Sequence, residues 1–344
     1  MPELVMSAMV LAAEINRVAS AAGGLPRELA GLWDPLREIC PFSAAWLGVL
    51  DTGGRRFLTA AAVGHDPAAR ADLESGAYYA AVEASGMLRR GRPMCLRNRG
   101  RPSDCPSCDG LWGTAGPQEG LGVPLIAADG RPVGLLVLST DATGHPTEDG
   151  CQVIGEVAPM IAAAIDPMTS LLGLAGLVVD AGASVAVGSD GAVHPLPGSS
   201  LHPLLAPGSP VVSIAADSLR IHGSPTGFLC PYPGQHSDVY VRVTVIACPL
   251  VPPSPFGVLV IVSPPGDLHG LTPRELEVLG LVIDGSTNRQ IASTMFITQR
   301  TVAAHLEHIR AKLGVPTRTA AAVRSLNHSL FVPSQLAGPG DLFR

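Results

Sequence analysis

Two groups of residues in this chain have the types and spacing that chemistry requires. The first is Cys95 followed by Cys105-Pro106-Ser107-Cys108. Two residues between thiols bring both sulfurs within reach of one centre, so the pair can chelate zinc or cycle to a disulfide. A structural zinc site takes four ligands. Cys95, Cys105 and Cys108 supply three, and a fourth would have to come from a distance, from His65 or His145. The plainer alternative is a set of reduced thiols in a Pro/Gly loop, because a lone Cys-x-x-Cys lacks supporting ligands. Around these cysteines stand Arg89, Arg90, Arg92, Arg97, Arg99 and Arg101. They could hold an anionic ligand or a partner's acidic face. Without interleaved aromatics, a solvated run pairing with local carboxylates is the simpler account.

The second group lies near the C-terminus, where Leu271 to Val323 reads LTPRELEVLGLVIDGSTNRQIASTMFITQRTVAAHLEHIRAKLGVPTRTAAAV. Thr272-Pro273-Arg274-Glu275 combines a hydroxyl cap, a proline at the first helical position and a carboxylate two residues later, the signature of a capping box. Thr287-Asn288-Arg289-Gln290 repeats the pattern, and Gly285 between them suits a left-handed helix stop. In the third segment Val302, Leu306, Ile309 and Leu313 recur at the spacing of one buried helical stripe. Leu276, Leu279 and Ile283 face them from the first segment, and Ile291 and Met295 from the second. Thr298 caps the third helix, whose first turn then presents backbone N–H groups, Gln299, Arg300 and Thr301 outward. The exposed face continues through Ala303, Ala304, Glu307 and Arg310.

Over its full length this stretch resembles the helix-turn-helix of LuxR-type transcriptional regulators, with the helix-turn-helix proper at Asn288 to Glu307. The resemblance implies sequence-specific binding to double-stranded DNA. It places Ala303, Ala304 and Glu307 in the major groove, where the family frequently carries long basic side chains. Alanine can contact a thymine methyl and glutamate can accept from a cytosine amino group. With so few base-reading side chains, backbone contacts from Asn288, Arg300, Arg310 and Lys312 are expected to carry affinity, together with dimerisation. The fourth segment, with Val323, Leu326 and Leu330 on one face, resembles the family's homodimer contact.

The elements that must position these groups fall into three parts. A helix is expected over Leu4 to Ala22, strands over Ala44 to Leu50 and Arg56 to Val63, and a helical region from about Pro67 to Met87 capped by Asp66. Strands over Gly120 to Ile126 and Val133 to Ser139 follow, then a helix over Glu148 to Ile165 capped by Thr147. This order, and the stretch GLGVPLIAADGRPVGLLVLSTDATGHPTEDGCQVIGEVAPMIAAAI, resemble a GAF sensor domain over residues 1–167. The resemblance implies a central antiparallel sheet with helices on one side and a pocket for a small-molecule effector of unnamed identity on the other. Trp46, Phe57, Tyr78, Tyr79 and Trp112 are either pocket lining or core, and core is the simpler reading.

Residues 168–266 read as a small β-rich domain, with strands over Leu177 to Asp180, Ser184 to Val187, Val211 to Ala215, Ser218 to His222, Val239 to Ala247 and Gly257 to Ser263. It is either a second, degenerate sensor domain or an extended linker. The all-α four-helix domain occupies 267–332 and a tail 333–344. The fold class is therefore multidomain: α/β sensor, β-rich middle, all-α helix-turn-helix.

Composition narrows the function. The net charge of −6 argues against wholesale nucleic-acid binding. However, His269 to Val332 holds seven basic and four acidic residues, a net +3 on an otherwise acidic chain. Lys312 is the single lysine, so arginine usage by itself carries little meaning. No nucleophile elbow, phosphate loop or paired-carboxylate site is present, so no enzyme and no cofactor are expected. No secretory or membrane-spanning stretch is legible, and an odd seven cysteines fit a reducing cytoplasm. The leading expectation is a DNA-binding regulator modulated by its N-terminal half. The alternative is a thiol or zinc redox sensor acting through Cys105 and Cys108.

Overall fold

The computed structural model describes residues 2–20, 29–51, 53–97, 119–140, 146–232, 239–248 and 254–336. The chain divides into two compact units. One is Met1–Ser170 with Gly188–Asp190 and Pro249–Gly257; the other is Leu171–Val187, Gly191–Cys248 and Val258–Arg344.

In the first unit, α1 (Pro2–Ser20) and α2 (Trp33–Ile39) precede β1 (Ala44–Asp51) and β2 (Arg56–Val63). Then come α3 (Pro67–Leu73), α4 (Gly76–Ser85), α5 (Met87–Arg90), β3 (Met94–Arg97), β4 (Glu119–Ile126), β5 (Pro132–Thr140) and α6 (Glu148–Ile165). The strands form one antiparallel sheet in the order β2-β1-β5-β4-β3. Alternation along β1 divides its side chains between two cores. Ala45, Leu47 and Val49 join the side where α1, α2 and α6 pack, while Trp46 and Leu50 join the side covered by α3 to α5. Gly48 leaves room for the Trp46 ring, since a Cβ there would meet Trp46 Cη2 at 2.2 Å. Trp46 Nε1 donates to Thr59 Oγ1 at 2.8 Å, which satisfies the one polar atom of a fully buried indole.

The helical region expected from about Pro67 to Met87 is made of three short helices. Asp66 caps the first, accepting from Ala69 N at 2.7 Å, but Ser75 then caps a second by accepting from Tyr78 N at 3.1 Å. Gly86, at φ +69°, ends that second helix. Local side-chain caps and a left-handed glycine outcompete helix continuation here.

Helix α7 (Pro167–Ala175) crosses from the first unit into the second, and after it come β6 (Ala183–Gly188), β7 (Val193–Pro195), α8 (Pro210–His222), β8 (Thr226–Pro231), β9 (Tyr240–Ala247) and β10 (Phe256–Ser263). These strands lie in the order β7-β6-β10-β9-β8, which is the order of the first sheet repeated. Residues 183–263 thus form a sheet of their own, with α8 packed on β8 and β9, rather than an extended linker. Two expectations fail. Leu177 to Asp180 is turn, and the two short strands expected over Val211 to Ala215 and Ser218 to His222 are the single helix α8. Ser209 caps α8, Pro210 opens it, and Val211, Val212 and Ala215 bury one helical stripe with half-buried Leu219. The β-branched residues suggested strand, but the cap and the stripe win.

The last helices are α9 (Pro273–Ile283), α10 (Asn288–Thr294), α11 (Gln299–Leu313) and α12 (Arg318–His328). Their core is continuous with that of the second sheet: Phe228, Val243 and Val260 belong to one buried cluster with Leu276, Leu279, Val302 and Ile309. The join is the segment after α12. Ser329 at φ +54° ends the helix, Leu229 N donates to Phe331 O at 2.8 Å, and Val332 N donates to Leu276 O at 3.2 Å. Leu330, Phe331 and Val332 are buried between β8 and α9. No single described helix is long and apolar enough to cross a membrane.

Candidate nucleic-acid interface

Four threonines set the helix starts of the C-terminal module. Thr272, Thr287, Thr298 and Thr317 each accept a backbone N–H from the residue three positions on. The first two complete capping boxes: Thr272 N donates to Glu275 Oε2 and Thr287 N to Gln290 Oε1, both at 2.7 Å. Gly285, at φ +79°, closes α9 as its position suggested, with Ser286 N donating to Leu281 O at 3.0 Å. Between α10 and α11 the turn passes through Phe296 at φ +54°, and Ile297 N donates to Ala292 O at 3.0 Å. A non-glycine residue in that region costs about 1 kcal/mol, and the flanking helices hold it there.

These caps and the buried stripe Val302, Leu306, Ile309 and Leu313 fix which face of α11 points outward. Gln299, Arg300, Thr301, Ala303, Ala304, Glu307, His308 and Ala311 are exposed. From Arg300 they recur at three- and four-residue steps, so one unbroken ridge runs down the helix. Thr301 Oγ1 lies 2.9 Å from Thr298 Oγ1 and so is partly engaged by the cap. Among the described residues neither the Arg300 side chain nor that of Arg289, in the first turn of α10, has a hydrogen-bond partner.

Three residues expected on the phosphate backbone also have internal partners. Lys312 Nζ donates to Glu275 Oε2 at 2.7 Å, linking α11 to α9. Glu275 is buried and its carboxylate needs a cation there. Burial would raise the Glu275 carboxyl, but the bonds from Lys312 and Thr272 and the Lys312 charge outweigh it and hold it below its ordinary value. Arg310 Nη1 donates to Pro316 O at 3.1 Å. Asn288 Oδ1 accepts from Arg318 Nη1 at 2.7 Å, and the same guanidinium reaches Ser286 O. Sequence spacing showed that these side chains leave the helix stripe, but not that a partner waits more than five residues away.

The fourth helix also departs from its expected face. Val323 is 51% exposed and Leu326 half-buried, whereas Leu330 has left α12 and is buried in the core. Ser329 in the left-handed region turns the chain inward before Leu330. Two exposed residues escaped the sequence reading: His308, four residues after Ala304, and Arg289, directly inside the Thr287 cap. The helical period alone would have found the first.

In the first unit Trp46, Phe57, Tyr78 and Tyr79 are buried together, Phe57 and Tyr78 each edge-on to Trp46. Burial pushes the Tyr78 phenol up from its ordinary value. Cys105, Cys108, Arg99, Arg101, Trp112 and His145 lie outside the described residues. Cys95 is described, and its sulfur is 2.9 Å from that of Cys151. His65 Nε2 is buried without a partner among the described residues. Among the described residues no group of three or more His, Cys, Asp or Glu could hold a metal ion.

Comparison with known proteins places these units. Residues 269–325 match the model of bacterial regulatory proteins of the luxR family, and residues 33–166 match the GAF domain model. The transcriptional regulatory protein LiaR of Bacillus subtilis (strain 168) is 51% identical over 55 residues, covering 16% of this chain and 26% of that protein. The DNA-binding transcriptional activator DevR/DosR of Mycobacterium tuberculosis (strain ATCC 25618 / H37Rv) is 48% identical over 56 residues, again covering 16% and 26%. The chain thus spans about a quarter of the length of these curated relatives. A GAF domain from a phosphoenolpyruvate-protein phosphotransferase of Coxiella burnetii is similar at 20% identity and a TM-score of 0.36, covering 50% of this chain and 98% of that one. The C-terminal module is a LuxR-type helix-turn-helix, and the N-terminal unit carries a GAF domain.

Proposed function

We propose that this chain is a cytoplasmic transcription regulator that binds double-stranded DNA as a dimer, with α11 in the major groove and the N-terminal half biasing that binding. The observation that carries this reading is the unbroken outward ridge of α11 on a capped helix-turn-helix frame of LuxR type. Gln299, Arg300 and Thr301 sit at the start of α11, where helix N–H groups without intrahelical partners favour phosphate. Ala303 and Ala304 suit thymine methyls, and Glu307 suits a cytosine amino group. His308 and Arg289 extend the surface. Asn288, Arg310 and Lys312 contribute by tying α10 to α12, α11 to the turn after it and α11 to α9, since Asn288 Oδ1, Arg310 Nη1 and Lys312 Nζ each have a protein partner.

A dimer through α12, where Val323 is exposed, would read two half-sites about one helical turn apart. A small-molecule input to the GAF domain is part of this proposal. Among the described residues, the face beneath α3 to α5 is packed with Trp46, Phe57, Tyr78 and Met87.

The test is a salt titration of operator binding by the full chain and by Arg300→Ala. Loss of one phosphate contact should weaken all sequences alike and reduce the slope of log K against log salt by about 1. An unaltered slope removes Arg300 from the interface. Glu307→Ala should instead relax preference at one base pair, a discrimination worth about 1–3 kcal/mol. Uniform weakening at every position would contradict base reading by Glu307.

A further inference from the structure

The sensor unit carries a pair of thiols built into the seam between its edge strand and its last helix. Cys95 lies on β3, at the edge of the sheet, and is exposed. It pairs across the ladder with Leu121, whose side chain is in the core shared with Ile154 and Ala158 of α6. Its neighbour Met94 packs into the opposite core. The strand's alternation therefore turns Cys95 toward α6. Cys151 is in the first turn of α6, its N–H bonded to Thr147 O at 2.9 Å, and its side chain is half-buried. The two sulfurs stand 2.9 Å apart, about 0.9 Å more than a disulfide bond.

A second feature supports this close approach. Gly155, one turn beyond Cys151, lies against the residue that enters β3: a Cβ on it would meet Pro93 Cγ at 3.0 Å. Glycine at this turn lets strand and helix approach where the thiols meet. A third cysteine, Cys40 at the end of α2, is buried, and burial first and Cys95 second push its thiol up to about 11. Cys40 therefore stays protonated at neutral pH and does not compete as a nucleophile.

We propose that Cys95 and Cys151 are a reversible two-electron oxidation site, converted to a disulfide by an oxidant of the peroxide class. The exposed Cys95 thiolate attacks one peroxide oxygen and the O–O bond breaks. Cys95 becomes a sulfenic acid, and the other oxygen leaves as hydroxide or alkoxide and takes a proton. The Cys151 sulfur, losing its proton, then attacks the sulfenic sulfur. The S–S bond forms, the S–O bond breaks and water leaves. Two thiols have given up two electrons and two protons, and one peroxide has been reduced. A dithiol reductant reverses the step by thiol–disulfide exchange. The pair lies wholly within the first unit, so the proposal does not depend on the DNA-binding reading. It is also distinct from the Cys105 and Cys108 alternative.

The test is peroxide treatment of the reduced full chain with hydrogen peroxide, followed by alkylation of free thiols, digestion and mass spectrometry. A Cys95–Cys151 linked peptide is expected, released by dithiothreitol, and it should persist in the Cys105→Ser/Cys108→Ser variant. In Cys151→Ser the Cys95 sulfenic acid should accumulate and be trapped by dimedone. Full alkylation of both Cys95 and Cys151 after peroxide overturns the proposal. So does a Cys95 crosslink made to Cys105 or Cys108 instead.

Discussion

Gly280→Ala is expected to destabilise the C-terminal unit by about 2 kcal/mol and to weaken DNA binding with it. Gly280 is in the interior of α9, where alanine would by propensity gain about 1 kcal/mol. The tertiary structure reverses the sign. A Cβ at this position would stand 1.9 Å from Val332 O and 3.0 Å from its carbonyl carbon. The obstacle is backbone, so no rotamer change relieves it. Moving that backbone would break the Val332 N–H bond to Leu276 O, and with it the Leu229 N–H bond to Phe331 O that ties β8 to the same segment. Overpacking of this kind costs up to about 3 kcal/mol, which outweighs the helix gain. Urea denaturation of the two proteins measures the difference. A midpoint equal to or above that of the parent would show that the C-terminal segment does not pack against α9 as described.

Lys312→Ala is the second large effect, expected at about 3 kcal/mol because it leaves a buried carboxylate without its cation. Glu275 side-chain exposure is 3% and that of Lys312 is 31%, so the partly open lysine end keeps the loss toward the lower end of that class. Glu275 would still accept from Thr272 N at 2.7 Å, which limits the damage to the capping box. The pH dependence follows from the sign of the Glu275 shift. Its folded carboxyl lies below the ordinary 4.5, so its contribution to stability is full above that value and is lost as pH falls through the lower folded value. In Lys312→Ala that depression is largely removed. The deficit should therefore be greatest at neutral pH and narrow below about pH 4.5. Thermal melts of the two chains between pH 3 and pH 7 measure it. A phosphate-binding Lys312 predicts the opposite pattern, an unchanged melt and a reduced salt slope, and that result would restore it to the interface.

The C-terminal module was legible in the sequence because its determinants are local. Thr272, Thr287 and Thr298 each act on a backbone group three residues away, Gly285 acts on its own φ, and the Val302–Leu313 stripe follows from the helical period. The first sheet was legible for a similar reason, since β1 and β2 alternate and join through a short turn. Residues 210–222 suggest strand because the β-branched Val and Ile there favour it in isolation. Only burial against β8 and β9, with the Ser209 cap, makes them a helix.

What the sequence determined by itself is the kind of module at each end: caps, periodicity and turn residues specify the helices of the helix-turn-helix and the strands of the sensor sheet within a few residues of chain. The partners were decided by the tertiary structure alone. Folding brings buried Glu275 to Lys312 from 37 residues away. Leu330 looked like part of a dimer face until Ser329 turned it into the core. Cys95 stands 2.9 Å from the sulfur of Cys151, 56 residues on, because strand alternation aims it there. The physical reason is common to all three. Caps and helical stripes act over three or four residues and are written in adjacent letters. Ion pairs, buried segments and thiol contacts depend on how separate elements pack, and no spacing in the chain records that.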